Sequence, residues 1–319
     1  MFSELAADGR ILVLAGGLSH ERDVSLRSGR RVAEALRAVG AEVEERDVDA
    51  SLVPALRDDP PACVLPLLHG ESGEDGAIGE VLELLGMPYV GSRPDACRRA
   101  FDKPAAKAVV AAAGLVVPAG VALPHEAFRE LGAAAVMDAV VAALGVSLIV
   151  KPTRGGSALG CTAVREPDAL AAAMVSAFAY ADTALIERLI PGTEVAVPVV
   201  DTGEGPRALP AVSIHPDGGV YDYTARYTAG STEFVVPAKL PDEVAAECAR
   251  VAVAAHQALG LRDLSRSDLM VDPEGRVWFL EVNVAPGLTE TSTVPLAVQA
   301  AGLELGGLFA QLLDAALAR

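Results

Sequence analysis

A chain of 319 residues that is 51% hydrophobic can bury a large core, and its length suggests two or three domains. Its 43 acidic against 26 basic residues give a net charge of −17, which argues against a surface that tracks nucleic acid or an anionic membrane. No uncharged apolar run approaches the roughly 20 residues that span a bilayer, and residues 1–10 are polar and acidic, so a soluble, cytoplasmic protein is expected.

In chain order, an apolar strand over 11–15 runs into Gly16-Gly17 and a helix over about 25–39. An alternating strand over 42–48 and an apolar strand over 64–68 follow, and strand, helix, strand in that order implies a parallel sheet with crossovers. A helix over 75–85 is stopped by Gly86 and Pro88. The second block carries helices over 105–113 and about 134–144, a strand over 148–151, a glycine loop and a helix over 167–178. The third opens at 185–187 and sets strands over 194–200 and 211–214 against a helix over 241–259. It ends in a hairpin and a helix over 303–317. Domain boundaries are expected at 1–101, 102–186 and 187–319.

Within that frame, Asp268 lies in an apolar segment one hairpin before Leu280-Glu281-Val282-Asn283. Residues two apart in a strand project the same way, so Glu281 and Asn283 share a face, and Asp268 can join them from the neighbouring strand. Two carboxylates and an amide oxygen form a hard oxygen site suited to Mg²⁺ carrying nucleotide phosphates. A solvated hairpin edge is the bland alternative, and the apolar flanks weigh against it.

Lysine is scarce, occurring at Lys103, Lys107, Lys151 and Lys239, so a lysine at a motif position is less apt to be filler. Lys151 ends an apolar strand and opens Pro-Thr-Arg-Gly155-Gly156-Ser157-Ala158-Leu159-Gly160. Such a loop can fold backbone N–H groups over phosphates, although taken alone it reads equally well as a hairpin turn. No Gly-Lys-Ser/Thr follows, so it is not a Walker loop. Cys63, Cys97, Cys161 and Cys248 show no paired spacing, and the histidines lack zinc-ligand intervals.

These segments, with 16–26, 68–76, 101–103, 221–227, 265–268 and 286–295 in the same order, resemble the ATP-grasp superfamily, and within it the D-alanine:D-alanine ligase family. The resemblance covers nearly the whole chain. It implies an α/β, three-domain ATP-grasp architecture with an N-terminal parallel-sheet domain. The implied chemistry transfers the γ-phosphoryl of ATP to one amino acid as an acyl phosphate, which a second amine attacks.

By the same resemblance, Lys103 and Lys151 would hold ATP phosphates, Glu187 and the backbone at Leu189 the adenine, and Glu194 the ribose. Asp268, Glu281 and Asn283 would hold Mg²⁺, with Mn²⁺ as a substitute. Glu21 would meet the first ammonium, with His69 at the equivalent edge of the same sheet. Arg266 and the N–H of Gly287 would stabilise the oxyanion. Ser292 would bind the second carboxylate, while Ser157 and Tyr227 would link to Glu21 and latch a loop over the site.

The chain departs from the family pattern at Arg226, where lysine is usual, at Ala158, where a second serine is usual, and at Ala285, where a polar residue is frequent. These changes touch the acceptor side. The expected partners are D-alanine and ATP, with no nucleic acid or membrane, in a homodimer, and the expected product is D-alanyl-D-alanine for peptidoglycan precursor synthesis. The alternatives are an ATP-grasp ligase of specialised metabolism with another acceptor, or a non-catalytic nucleotide-binding regulator.

Overall fold

The computed structural model describes residues 9–217, 221 and 230–319, so Arg226 and Tyr227 lie outside the described residues. The first sheet contains β1 (Ile11–Leu14), β2 (Val43–Arg46) and β3 (Cys63–Pro66), ordered β2-β1-β3 with both pairings parallel. Ile-Leu-Val-Leu in β1 is buried throughout, which is why that strand reads as a continuous apolar run. Between β1 and β2, α1 (Arg22–Ala38) turns Ser25, Ser28, Gly29, Val32, Ala33 and Leu36 inward at helical spacing. The crossover from β2 to β3 is α2 (Leu52–Asp58), which the sequence patterning did not anticipate. The helix expected over 75–85 is α4 (Ala77–Leu84), preceded by a short unanticipated turn of helix, α3 (Glu71–Glu74), and followed by α5 (Pro94–Phe101).

Asp102 accepts a hydrogen bond from the N–H of Ala105 at 3.1 Å and starts α6 (Lys103–Ala112). Beyond it lie β4 (Gly120–Pro124), α7 (His125–Leu131), α8 (Ala133–Leu144), β5 (Leu148–Pro152), β6 (Thr162–Val164), α9 (Leu170–Phe178) and β7 (Thr183–Arg188). Their strands form an antiparallel sheet, β4-β7-β5-β6. Leu148, Val150, Leu170, Met174 and Ile186 give it a core of its own.

The remaining strands are β8 (Thr193–Val200), β9 (Arg207–Ala208), β10 (Val212–Pro216), β11 (Thr232–Val235), β12 (Leu264–Val271) and β13 (Val277–Asn283). They are ordered β11-β10-β8-β12-β13, antiparallel, with β9 on β8. On one face α10 (Asp242–Ala258) shares a core with α5 and α6 through Val251, Ala255, Ala100 and Val110. The other face joins the first sheet. Val200 and Val212 share a core with Ile11, Val13 and Leu36, completed by α11 (Thr293–Ala300) and α12 (Leu305–Leu317). Among the described residues no single helix is long and apolar enough to cross a membrane.

Candidate active site

In the β12–β13 hairpin, Asp268 stands opposite Glu281 and Arg266 opposite Asn283. The pairing puts all four side chains on one face, as the two-residue alternation requires. A register shift after Asp268 brings Leu269 against Phe279, and the extra residue leaves Leu280 and Glu281 both half-buried and lining the same cavity. Arg266 donates from Nε and Nη2 to the two oxygens of Asp268, each at 2.7 Å. Burial opposes the Arg266 charge, and the Asp268 carboxylate more than offsets this and raises its pKa. Asn283 Oδ1 accepts the N–H of Ala285 at 2.8 Å, and Lys103 Nζ lies 3.7 Å from Glu281.

The glycine loop connects β5 to β6. Lys103 donates to the Gly155 carbonyl at 2.7 Å, and the Ser157 hydroxyl donates to Glu21 in a very close contact. Glu21 is the N-cap residue of α1, so the loop of one sheet is tied to the helix start of another. Gly156 permits this approach, because a Cβ there would lie 2.7 Å from Glu21 Oε2.

Behind the loop, Glu187 is 1% exposed between two ammonium groups, Lys107 Nζ at 2.6 Å and Lys151 Nζ at 3.2 Å. Burial pushes Lys107 down to about 8 despite Glu187, and the neighbouring Lys151 charge adds to the effect. Lys151 moves the other way. Burial is its largest influence and opposes the charge, but Glu187 and Glu281 together raise it. A cavity of about 390 Å³ in front of this cluster is lined by Lys103, Ile149, Lys151, Glu187, Leu189, Glu194, Met270, Leu280 and Glu281. The Leu189 N–H is committed to the carbonyl of Ser147 at 3.0 Å, so Leu189 has its carbonyl and side chain to offer there.

A second cavity of about 400 Å³ adjoins the first at Lys103, Gly156, Asp268 and Glu281, and it collects Glu21, His69, Glu74, Arg266, Gly287 and Ser292. His69 is 3% exposed and both ring nitrogens are engaged. The Ala285 carbonyl, 2.7 Å from Nδ1, can only accept, so Nδ1 carries the proton and Nε2 accepts from the Ser28 hydroxyl at 3.0 Å. Ser28 in turn accepts the N–H of Leu288 at 3.1 Å. Burial keeps the imidazole neutral by lowering its pKa, consistent with that tautomer. His69 thus orients the turn carrying Gly287. Ser292 is the N-cap of α11 and bonds Thr289 through both N–H, at 3.1 Å, and Oγ1, at 2.9 Å.

The described residues among the expected site therefore converge on two adjoining cavities. Four contributors were missed: Lys107, Glu74, Ser28 beneath His69 and Thr289 beside Ser292. Lys107 had a signal, being one of few lysines and four residues after Lys103 on the same helix face.

The family model described as D-ala D-ala ligase C-terminus matches residues 109–314. The chain belongs to the D-alanine:D-alanine ligase family. A D-alanine--D-alanine ligase of Gloeobacter violaceus is 40% identical over 97% of this chain and 99% of its own length. That of Desulforudis audaxviator is 41% identical over the same shares. Among solved structures, VanG D-Ala:D-Ser ligase from Enterococcus faecalis superposes with a TM-score of 0.82 at 28% identity, covering 96% of this chain and 99% of that one. The Bacillus anthracis D-alanine--D-alanine ligase complexed with ATP gives 0.80 at 27% identity, covering 97% and 98%. The family relationship fits the ATP-grasp arrangement of sheets seen here.

Proposed function

We propose that this protein is an ATP-dependent ligase that joins two D-alanines, releasing ADP and phosphate, and that it supplies the dipeptide for peptidoglycan precursors in the cytoplasm as a homodimer. The observation that carries the reading is the junction of the two cavities at Lys103, Asp268 and Glu281, with a cationic cluster on one side and amino-acid-binding groups on the other. A phosphoryl group leaving the first cavity enters the second there.

On this reading Lys103 and Lys151 neutralise the phosphates, Glu187 and the Leu189 backbone face the adenine, and Glu194 the ribose. Asp268, Glu281 and Asn283 present hard oxygens that fit Mg²⁺. Among the described residues no group of three or more His, Cys, Asp or Glu could hold a metal. The residues that would hold the ion are Asp268, Glu281 and Asn283. When bound, Mg²⁺ supplies charge neutralisation during phosphoryl transfer, and Mn²⁺ suits the same oxygens.

Glu21 receives the first ammonium, and the Ser157 bond holds that carboxylate toward the cavity. Arg266 and the Gly287 N–H stabilise the oxyanion formed when the second amine attacks the acyl phosphate. The second carboxylate is met by Ser292, where the α11 N-terminus adds a favourable dipole. By resemblance to the family, Arg226 completes the acceptor side and Tyr227 joins the Ser157–Glu21 link that latches a loop over the site. Phosphate release from ATP and Mg²⁺ across a panel of D- and L-amino acids, with mass analysis of products, tests the reading. The expected product is D-alanyl-D-alanine. Robust product from L-amino acids with none from D-alanine would overturn it.

A further inference from the structure

The Lys107–Glu187–Lys151 cluster holds two cations and one anion in a volume nearly closed to water. Lys107 is 6% exposed, Lys151 8% and Glu187 1%. The three side chains come from three elements: α6, β7 and β5. One carboxylate cannot fully neutralise both ammonium groups, and Lys107 holds it more closely, at 2.6 Å against 3.2 Å. Lys151 also lines the nucleotide cavity, whereas Lys107 stands behind Glu187. We propose that Lys107 is a positioning residue for ATP binding: by occupying Glu187 it leaves the charge of Lys151 free for the nucleotide phosphates. The proposal rests on the reading that Lys151 holds those phosphates.

The physical argument is competition for one anion. With Lys107 charged, the cluster carries a net positive charge, and its cavity-facing member is Lys151. With Lys107 neutral or removed, Glu187 and Lys151 close into a balanced buried pair, and withdrawing Lys151 toward phosphate would leave Glu187 buried and uncompensated. The charged groups acting on Lys107 are Glu187 from β7, Lys151 from β5 and Glu281 from β13. The faces of α5 and α10 packed against α6 contribute apolar side chains and the thiols Cys97 and Cys248, which burial pushes up to about 12 and about 11 and so keeps neutral. Lys107, pushed down to about 8, is the first of the two lysines to lose its proton as pH rises, since Lys151 is raised. Bound phosphate favours charged Lys107, so nucleotide binding above that pH takes up a proton.

The test is calorimetric titration of the whole protein with Mg²⁺ and a non-hydrolysable ATP analogue between pH 6.5 and 9.5, in buffers of different ionisation enthalpy. For the wild type the dissociation constant is expected to be flat below pH 8 and to rise by up to about tenfold per unit above it, with proton uptake near pH 8.5. Lys107→Met should weaken binding about tenfold or more at pH 7 and abolish the proton uptake. Lys107→Arg, which stays charged, should bind as the wild type does at pH 7 and lose the alkaline weakening. Lys151→Met separates the two readings. If it leaves affinity unchanged, the assignment of Lys151 to phosphate fails. If it weakens binding while Lys107→Met, shown folded by circular dichroism, matches the wild type in affinity and proton uptake, the inference alone fails. If Lys107→Met does not fold, a Lys107→Arg protein that keeps the wild-type alkaline weakening overturns it equally.

Discussion

Glu74 lies 6% exposed at the wall of the second cavity, and burial together with the Glu21 carboxylate pushes its carboxyl from 4.5 up to about 8. Its Oε1 accepts the N–H of Gly70 at 2.8 Å, which a neutral carboxyl or an amide does equally well. In the unfolded chain the group ionises at its ordinary value. Between that value and about 8 the folded protein therefore holds a proton the unfolded chain has lost, and stability falls as pH rises through the window. Glu74→Gln should remove this slope and be the more stable protein at pH 8, by on the order of a few kcal/mol, with the advantage gone near pH 4. Urea unfolding at both pH values checks this. A variant less stable than the parent at pH 8 would mean that Lys103 and Arg266 hold Glu74 ionised. Gly156 is also open to test, since Gly156→Ala puts a Cβ 2.7 Å from Glu21 Oε2. It is expected to raise the Michaelis constant of the first D-alanine about tenfold and spare the second, because the methyl displaces the carboxylate proposed to meet the first ammonium.

The β12–β13 hairpin shows how an element converts sequence spacing into chemistry. Alternation puts Arg266 and Asp268 on the face shared by Glu281 and Asn283, and the bulge adds Leu280 to the lining of the nucleotide cavity. Opposite charges then sit beside each other: Arg266 on Asp268, and Lys103 near Glu281. Glu281→Gln keeps the shape and removes the charge assigned to phosphoryl transfer in the proposed function, so turnover should fall about 100-fold or more with the protein folded. Near-normal turnover at saturating Mg²⁺ with an unchanged melting temperature would make the hairpin merely structural.

At the scale of the molecule, the first and third sheets share one hydrophobic core, while the four-stranded sheet keeps a separate one. The cavity proposed for the nucleotide lies between that sheet and the hairpin, with Ile149 and Lys151 on one wall and Met270 and Leu280 on the other. A ligand there bridges parts that share no core cluster and should stabilise their association. Hydrogen exchange is expected to slow across residues 148–188 when a non-hydrolysable ATP analogue and Mg²⁺ are added, and no change would indicate that these parts are already fixed to each other. A latch secures the opposite side. Asp263, 1% exposed, accepts from Arg319 at 2.6 and 2.9 Å and from the Gly91 N–H at 2.6 Å, joining the loop between α4 and α5, the entry to β12 and the segment after α12. Arg319→Ala should cost about 2 kcal/mol at pH 7, since it leaves a buried carboxylate short of its cation. The loss is readable by urea denaturation.

What the sequence determined by itself is local or linear. The buried run of β1, the hairpin's alternation and the order of the motifs along the chain were enough to anticipate the parallel first sheet, the Asp268–Glu281–Asn283 face and the family. Short or edge elements such as α2, β4, β6 and β11 escaped, because three to seven residues carry too little periodicity to separate a strand or a short helix from a loop. What the tertiary structure decided is partnership. His69 is legible as a strand-end histidine, but only the fold brings Ala285 and Ser28 to its two nitrogens. Lys107 and Glu74 are ordinary charged residues in the sequence. Their burial, and so the costs that make one ammonium easy to deprotonate and one carboxyl hard to ionise, exists only when α6, β7 and β5 close around the first and Glu21 is packed near the second. Desolvation and charge proximity depend on distances through space, and those distances are set when the three sheets pack.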